Sequence, residues 1–345
     1  MKKINSAEIA RQAGVSRSTV SRVVNSYSNV PSDTRDRVMK VINENEYYPL
    51  LCGQLLAGKR TGTIGFFWIS DSPIANDIQS SSFFVHVTEA ATEMGYLVLA
   101  CILKNLSDKD NIEHVKKIYM QERIDGGIFI GIDNHEPLID ELVSKNKIAG
   151  VFDYHRPECA EPNRISVNFE TSTGIKAIDY AVSMGHTKIA ILDGNPERYS
   201  CLTRHEGFLA GLEKHNIPIR KEWIANADIT EEHGYKAALD FLSNAQELPT
   251  CICCQNDSVA FGAYKALREK GISIPGQISI IGIDGHFRGQ LMNPPLTTFE
   301  FNFKKFFRSL VTRTISAIEG KDGYDTTEFI DSVLVERGSV LDLRK

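Results

Sequence analysis

Residues 14–24 have the sequence GVSRSTVSRVV, with two arginines, four hydroxyl side chains and no acidic residue. At helical spacing Val20, Val23 and Val24 share one face, and the arginines and hydroxyl groups share the other. One interpretation is a small helical bundle whose polar face is only solvated. The alternative fits the composition better: a helix in the major groove of DNA needs short donors and arginine forks, and carboxylates there would be repelled by phosphates. The segment therefore predicts a recognition helix for DNA.

The flanking residues predict two further helices. Asn5 or Ser6 can cap the first helix, which ends at Gly14, and Ser16 can cap the second, which runs to about residue 25. Pro31 and the serine after it begin a third helix. Two helices joined by a tight turn that contains glycine form a helix-turn-helix, so the first 46 residues are predicted to be a DNA-binding head.

The distribution of charge supports this division of the chain. The formal net charge is −5, yet residues 1–60 contain ten Lys and Arg against five Asp and Glu, which gives +5 and leaves −10 for the remainder. A small basic segment attached to an acidic body indicates that this segment alone contacts a polyanion.

From residue 61 onward, apolar strands alternate with helical stretches. This pattern is typical of parallel sheets covered by helices on both faces. The strands are too numerous for one sheet of usual size, so the fold class is predicted to be α/β with two doubly wound parallel-sheet subdomains. The predicted strands are residues 63–69, 96–102, 126–130, 148–152, 164–169, 188–192, 250–254 and 278–283.

Polar side chains follow the predicted strands. Because ligands of open parallel sheets bind beyond the carboxyl ends of the strands, these positions are candidate ligand contacts. Each carboxylate or amide has the alternative role of a helix cap. Together with an arginine and two aromatic rings they predict a cleft for a small polyhydroxylated ligand. The candidates are Trp68, Ser70, Asp71, Asp133, Asp153, Phe169, Asp193, Asn195, Arg204, Asn256, Asp257 and Asp284.

Signatures of other protein classes are missing from the sequence. It has no nucleophile elbow, phosphate loop, dinucleotide fingerprint or zinc-protease motif, so no enzyme and no cofactor are predicted. Cys251, Cys253 and Cys254 lack a nearby histidine, which favours core packing over a metal site. The sequence shows no apolar run long enough to cross a membrane and no secretory signal, and the seven scattered cysteines are an odd number. A reduced, cytoplasmic protein is expected.

Several segments resemble the lactose/galactose-repressor family of bacterial transcription regulators, over essentially the whole chain. The resemblance implies a helix-turn-helix head, a hinge helix and a core like the type I periplasmic sugar-binding proteins, all of which work as a homodimer on palindromic operator DNA. The segments are IARQAGVSRSTVSRVVN (9–25), VPSDTRDRV (30–38), GKRTGTIG (58–65), NDSVAFGAYKALREKGISIPGQISIIGID (256–284) and PPLTT (294–298).

The resemblance also assigns roles to individual residues. Leu56 matches the hinge leucine that wedges into the minor groove. Arg17, Ser18 and Arg22 would contact bases. The residues implied to contact mainly the DNA backbone are Ser16, Thr19, Ser21 and Asn25. The residues that match effector-pocket positions are Asp153, Phe169, Arg204, Asn256 and Asp284, with Arg204 and Asp284 expected on opposite walls.

Three positions depart from the family pattern. Leu50 and Gly53 replace the usual asparagine and alanine of the hinge, and a glycine inside a helix costs about 1 kcal/mol relative to alanine. Gly285 replaces the second of two aspartates after the last predicted strand. We therefore expect a hinge that orders less firmly and one altered effector contact.

These observations predict a repressor whose operator binding is controlled by a sugar or sugar derivative held between the core subdomains. A co-repressor that activates DNA binding remains the alternative, and a solute-binding protein or an enzyme built on the same sheets are weaker ones. The predicted domains are a head (1–46), a hinge helix and linker (47–60) and a core (61–345). The first subdomain is placed at about 61–162 and 293–324, and the second at about 163–292 and 325–345.

Overall fold

The computed structural model of the chain describes residues 4–25, 27–48, 55, 58–70, 78–159, 161–244 and 247–345. They belong to two compact units, residues 1–62 and residues 63–345. Leu50, Gly53, Leu56 and Asp71 lie outside the described residues, so the expectations about the hinge stay predictions.

The first unit contains the three predicted helices, α1 (Ser6–Ala13), α2 (Arg17–Val24) and α3 (Ser32–Glu44). The caps are those expected: the Asn5 side chain accepts hydrogen bonds from two N–H groups of α1, and Ser16 accepts from the N–H of Thr19. Gly14 ends α1 with a φ of 65°, in the left-handed region that glycine adopts without strain. A small apolar core joins the helices, formed by Ile9, Ala10, Ala13, Val20, Val23, Val30, Val38, Val41 and Ile42.

The second unit contains two six-stranded sheets. The strands are β1 (Thr63–Ile69), β2 (Leu97–Leu103), β3 (Gly126–Ile130), β4 (Ala149–Phe152), β5 (Arg164–Phe169), β6 (Ile189–Asp193), β7 (Ile224–Asn226), β8 (Cys251–Cys254), β9 (Ser279–Asp284), β10 (Thr297–Phe301), β11 (Thr327–Ile330) and β12 (Ser332–Val335). The helices are α4 (Ile78–Glu93), α5 (Lys109–Met120), α6 (Pro137–Ser144), α7 (Thr173–Ser183), α8 (Tyr199–Lys214), α9 (Glu231–Asn244), α10 (Asp257–Glu269) and α11 (Phe303–Glu319).

The strand order is β11-β5-β4-β3-β1-β2 in one sheet and β12-β10-β9-β8-β6-β7 in the other. All neighbouring strands are parallel except β10 and β12. Separate apolar clusters cover the two faces of each sheet, as a doubly wound α/β fold requires. We call the first sheet with α4, α5, α6 and α11 the first lobe, and the second sheet with α7–α10 the second lobe.

The chain passes between the lobes three times: at residues 170–172, at Asn302 and at Asp331. These crossovers correct the predicted subdomain limits near 163, 293 and 325. Each crossover lies later in the chain, because β5 and β11 pair with each other in the first sheet and β10 pairs with β9 in the second. The position of each lobe boundary depends on which sheet the neighbouring strand joins. This pairing is not visible in the sequence pattern.

Four strands were not predicted: β7, β10, β11 and β12. β7, β11 and β12 are three or four residues long. Each lies at an edge of its sheet, where some of its side chains stay accessible to solvent. Such strands lack the apolar run that identifies buried parallel strands. Among the described residues, no helix combines the length and apolar character needed to cross a membrane.

Candidate functional site

The outer face of α2 is polar and accessible. Arg17, Ser18, Ser21 and Arg22 are exposed, while Val20 and Val23 are buried in the head. The helix contains two arginines and no acidic residue, so its free face is positive. This is the arrangement that readout in a major groove requires.

The remaining predicted DNA contacts have structural roles as well. The Ser16 hydroxyl lies 2.7 Å from the Ser18 hydroxyl and 2.9 Å from the Thr19 hydroxyl, in addition to capping α2. Asn25 forms the carboxyl-terminal cap of α2 and is half-buried, and its amide nitrogen donates to Ser21 at 3.3 Å. These side chains fix the start and the end of α2, and Leu56 is not among the described residues.

The second candidate site is a cleft of about 440 Å³ in the second unit. The carboxyl ends of strands from both sheets border it, as expected for open parallel sheets. All six predicted effector residues line it: Ser70, Asp153, Phe169, Arg204, Asn256 and Asp284. Sequence reasoning missed several others, namely Phe83, Arg198, Ser200, Glu231 and Arg288.

The side of the cleft formed by the second lobe, which we call the second-lobe wall, contains Arg204 on α8. Its side chain is 4% exposed, and it donates to Asp284 at 2.8 Å and to the main-chain oxygen of Gln255 at 2.9 Å. The guanidinium carbon lies 4.7 Å from the centre of the Phe169 ring, within cation–π distance. Arg204 and Asp284 are thus directly paired, which corrects the expectation that they stand on opposite walls. The Nε of Arg204 is buried without a hydrogen-bond partner among the described residues.

Asp153 connects the two lobes. It follows β4 in the first lobe, and its carboxylate accepts hydrogen bonds from the N–H (2.9 Å) and the hydroxyl (2.6 Å) of Ser200 in the second lobe. Burial raises the pKa of Asp153 above its ordinary value, although the bonds from Ser200 and the charges of Arg204 and Arg198 oppose this shift. Its main chain has a φ of 58°, a left-handed conformation that is uncommon outside glycine. The predicted ligand contact is therefore also an interlobe contact.

The structure explains the glycine after Asp284. Gly285 has a φ of 77°, and a Cβ at this position would lie 2.8 Å from the Cα of Glu300. Both the backbone conformation and this close approach of β10 exclude an ordinary side chain. The departure from the family pattern is thus required by this backbone.

The first-lobe wall is aromatic. Phe83 lies with its ring centre 5.9 Å from Trp68, 5.9 Å from Phe152 and 4.8 Å from Phe303. Phe169 packs at 5.4 Å from Phe152. All five rings line the cleft. The wall offers aromatic faces and edges to a ligand, and its five rings come from five different elements, so no single stretch of sequence indicated it.

Asn256 has both of the predicted roles, as a helix cap and as a residue that lines the cleft. It caps α10 by accepting from the N–H of Val259 at 2.8 Å, and it also lines the cleft. Asp257 is fully buried and instead accepts from Thr298 and from the N–H of His286, so it belongs to the core. The remaining strand-end candidates, Asp133, Asp193 and Asn195, are outside the cleft lining.

No cluster of three or more metal-ligating side chains occurs within the part of the chain that the structure describes. Cys251, Cys253 and Cys254 are fully buried on β8, with two of them in one apolar cluster and the third in another. They pack the core, as predicted.

Comparison with protein families gives two matches. Residues 7–49 match the profile of bacterial regulatory proteins of the lacI family, and residues 178–340 match the profile of the periplasmic binding protein-like domain. The chain is 30% identical over 292 residues to the HTH-type transcriptional repressor PurR of Actinobacillus pleuropneumoniae serotype 3, covering 84% of each protein. It is 32% identical over 300 residues to the HTH-type transcriptional regulator DegA of Bacillus subtilis, again covering 84% of each. These relatives are transcriptional regulators rather than enzymes.

Solved structures show the same fold. The lac repressor dimer bound to operator and the anti-inducer ONPF superposes with a TM-score of 0.80 at 26% identity, covering 99% of this chain and 100% of that one. The transcriptional regulator CelR in complex with cellobiose superposes with a TM-score of 0.74 at 20% identity, covering 97% and 99%.

Proposed function

The chain belongs to the LacI family of bacterial regulatory proteins and is a DNA-binding transcriptional repressor, and from this premise we propose that an uncharged carbohydrate in the interlobe cleft controls its operator binding. The proposal assigns the head to residues 1–46, the linker to 47–60 and the effector core to 61–345. Since operator DNA lies in the cytoplasm of bacteria, the same proposal places the protein there.

The proposed operator complex is a homodimer on a roughly palindromic site. One α2 per subunit would enter each half-site, because a two-fold protein matches a two-fold sequence. The exposed positive face of α2 supports this role, with Arg17, Ser18 and Arg22 on base edges and Ser16, Thr19, Ser21 and Asn25 mainly on the backbone. Leu56 would wedge into the minor groove between the half-sites. The solved lac repressor complex is likewise a dimer on its operator.

One observation carries the effector proposal: Arg204, paired with Asp284, lines the cleft, and its buried Nε has no hydrogen-bond partner among the described residues. A buried donor without a partner costs free energy unless a ligand oxygen or an ordered water satisfies it. Ligand hydroxyl groups provide such oxygens, and the aromatic first-lobe wall can cover the apolar face of a sugar ring. Asn256 and Ser70 would add further hydrogen bonds at the rim.

The charges of the cleft favour a neutral ligand. Among its described lining residues, the three arginines at 198, 204 and 288 balance the three carboxylates at 153, 231 and 284. Arg204 pairs with Asp284, and Arg288 pairs with Glu231 at 2.8 Å. A phosphate group bound at Arg204 or Arg288 would have to displace the carboxylate partner of that arginine and leave its charge uncompensated. The solved structures of CelR and of a LacI-family regulator from Enterococcus faecium hold cellobiose and ribose respectively, both uncharged sugars.

The effect of the ligand on DNA binding has two possible directions. We assign the ligand as an inducer that favours the lobe arrangement with weak operator affinity. A co-repressor would favour the opposite arrangement. An electrophoretic mobility shift series with the identified ligand distinguishes them, because an inducer releases the operator and a co-repressor is needed for tight binding.

The DNA proposal is tested by selecting operator duplexes from a random library with the full chain, and then measuring Arg22→Ala. We expect a palindromic consensus, and a loss of about 1–3 kcal/mol per half-site with relaxed preference at one base pair, because a bidentate arginine–guanine contact is lost. Lys236→Ala, which removes an exposed cation of the core, serves as the control. Equal weakening on every sequence would assign Arg22 to the phosphate backbone.

The effector proposal is tested by thermal shift and calorimetry with matched pairs of ligands: ribose against ribose 5-phosphate, and glucose and cellobiose against glucose 6-phosphate. We expect one uncharged sugar to raise the melting temperature, because a ligand that binds only the folded state stabilises it by mass action. Tighter binding of a phosphorylated partner would contradict the argument from charge balance.

A further inference from the structure

Any change in the arrangement of the lobes must bend the chain where it passes between them. The crossovers are at residues 170–172, Asn302 and Asp331. Motion of two packed bodies is governed by the few residues that absorb the rotation at such points. Contacts between the crossovers therefore decide which motions are possible.

Glu170, at the first crossover, belongs to both lobes. Its N–H donates to the main-chain oxygen of Ile330 at 3.0 Å, which continues the β5–β11 pairing of the first sheet. Its carboxylate instead accepts from the N–H of Ser332 (2.6 Å) and from the Ser332 hydroxyl, at the start of β12 in the second sheet. The main chain of this residue is thus held by the first lobe and its side chain by the second.

Two more donors complete the environment of this carboxylate. Lys176 on α7 donates to its two oxygens at 2.7 and 2.6 Å, and the hydroxyl of Ser172 donates at 2.6 Å. Burial alone would raise the pKa of Glu170, but the hydrogen bonds from Lys176, Ser172 and Ser332 outweigh it, and the pKa lies below its ordinary value. Glu170 is therefore ionised at neutral pH, and its side chain connects the first crossover to the third.

Two further hydrogen bonds between the lobes lie beside the cleft. The Ser200 N–H donates to Asp153 at 2.9 Å, and the Asn134 N–H donates to the main-chain oxygen of Glu197 at 2.9 Å. These bonds join residues far from the crossovers in the sequence, so an opening of the cleft separates their partners. The partners of Glu170 lie within a few residues of the crossovers, so its bonds can persist through such a rotation.

We propose that Glu170 is a positioning residue of the interlobe hinge. Its bonds to both lobes confine them to one rotation and keep the cleft-side hydrogen bonds aligned. Without its carboxylate, the main-chain pairing of β5 with β11 would still join the two crossovers within the first lobe, but the start of β12 in the second lobe would be held less firmly to them, and the lobes would sample additional arrangements. The value of this device for regulation rests on the proposed effector-controlled repression, but the hinge itself does not.

The test is hydrogen–deuterium exchange of the full chain, without effector or DNA, for the parent and Glu170→Gln. We expect peptides that contain Asn134 and Ser200 to exchange at least about threefold faster, because the interlobe bonds of these amides open more often. Peptides from the central strands β3 and β8 should be unchanged. Glu141→Gln removes a carboxylate that binds two surface lysines and is the matched control, expected to leave all of these peptides unaltered.

Unchanged exchange at Asn134 and Ser200 in a folded Glu170→Gln protein would overturn the proposal and leave Glu170 with a local structural role. If that variant does not fold, Lys176→Met removes only the charged partner and decides between the same two outcomes. Since no ligand enters the experiment, its result is independent of whether the effector is a sugar.

Discussion

The two walls of the cleft are built from opposite chemistry. The first-lobe wall consists mainly of aromatic rings, with Phe83 packed between Trp68, Phe152 and Phe303. The second-lobe wall carries the ion pairs Arg204–Asp284 and Arg288–Glu231. Apolar rings form a wall by burying surface, whereas charges can form a wall only when each is paired.

This difference indicates that the two lobes contribute to ligand recognition in different ways. The aromatic wall gains its stability before any ligand arrives, so a ligand finds a preformed surface. The polar wall presents the hydrogen-bonding groups of Arg204, Asn256 and Asp284, which would fix the orientation of a ligand. Substitutions in the first wall should mainly change stability, and those in the second should mainly change ligand response.

The largest effect is expected for Phe83→Ala in the aromatic wall. Phe83 is 9% exposed, and its removal leaves a cavity among the surrounding rings. The free energy of unfolding should fall by about 3–5 kcal/mol, as for other buried phenylalanines. Denaturant unfolding of the core measures it, with Phe84→Ala, at a neighbouring position that is 39% exposed, as the control. A loss below that of the control would show that the wall is not a preformed packed surface.

Arg204→Ala should have the next largest effect, and of a different kind. It leaves Asp284 without its partner, at a cost of about 2–3 kcal/mol, below the range for fully buried pairs because Asp284 is 24% exposed. The thermal shift produced by the sugar identified above should disappear. Asp284→Asn keeps the shape of the pair and should retain more stability while still weakening the ligand. A folded Arg204→Ala protein with the parent's ligand response would place the effector site elsewhere.

A smaller, pH-dependent effect is expected at the contact between the walls. Because the pKa of Asp153 is raised in the folded protein, the folded state holds this proton more tightly than the unfolded state in the range just above pH 3.8. The contribution of Asp153 to stability therefore falls as the pH rises through that range. Asp153→Asn lacks this dependence, so melting temperatures between pH 4 and 7 should improve for the variant relative to the parent as the pH rises. A constant difference would contradict the raised pKa.

The smallest effect on stability is expected for Arg288→Ala at the rim. Arg288 and Glu231 are 44% and 43% exposed, so their pair contributes at most about 1 kcal/mol. The substitution nevertheless leaves the described cleft lining with a net negative charge. Binding of a neutral sugar should change little, and calorimetry at low and high salt should show no salt dependence. A strong loss of sugar affinity would make Arg288 a direct ligand contact.

The head shows how far local sequence patterns reach. The caps at Asn5 and Ser16, the glycine at the end of α1 and the spacing of the valines predicted three helices at the observed positions. Each of these signals acts within four or five residues, where the chain has few alternatives. The eight predicted strands were found for a similar reason, since short apolar runs are typical of strands in parallel sheets.

The cleft was predictable in part. Residues at the carboxyl ends of strands were found because the parallel topology brings those ends together. Phe83 on α4 and Ser200 on α8 gave no such signal, since helices place them at the cleft only after both sheets have formed. The lobe boundaries were misplaced for the same reason, because the sheet that each strand joins depends on partners more than a hundred residues away in the case of β5 and β11.

The sequence alone determined that this protein has a basic helix-turn-helix head, a doubly wound α/β core and a set of polar residues at its strand ends, because these features depend on periodicity and on local hydrogen bonds. Only the tertiary structure decided that Arg204 and Asp284 are partners, that Asp153 bonds to the opposite lobe and that Glu170 joins two crossovers. Such pairings depend on desolvated contacts between distant segments, whose free energy exists only once the packing has removed the water between them.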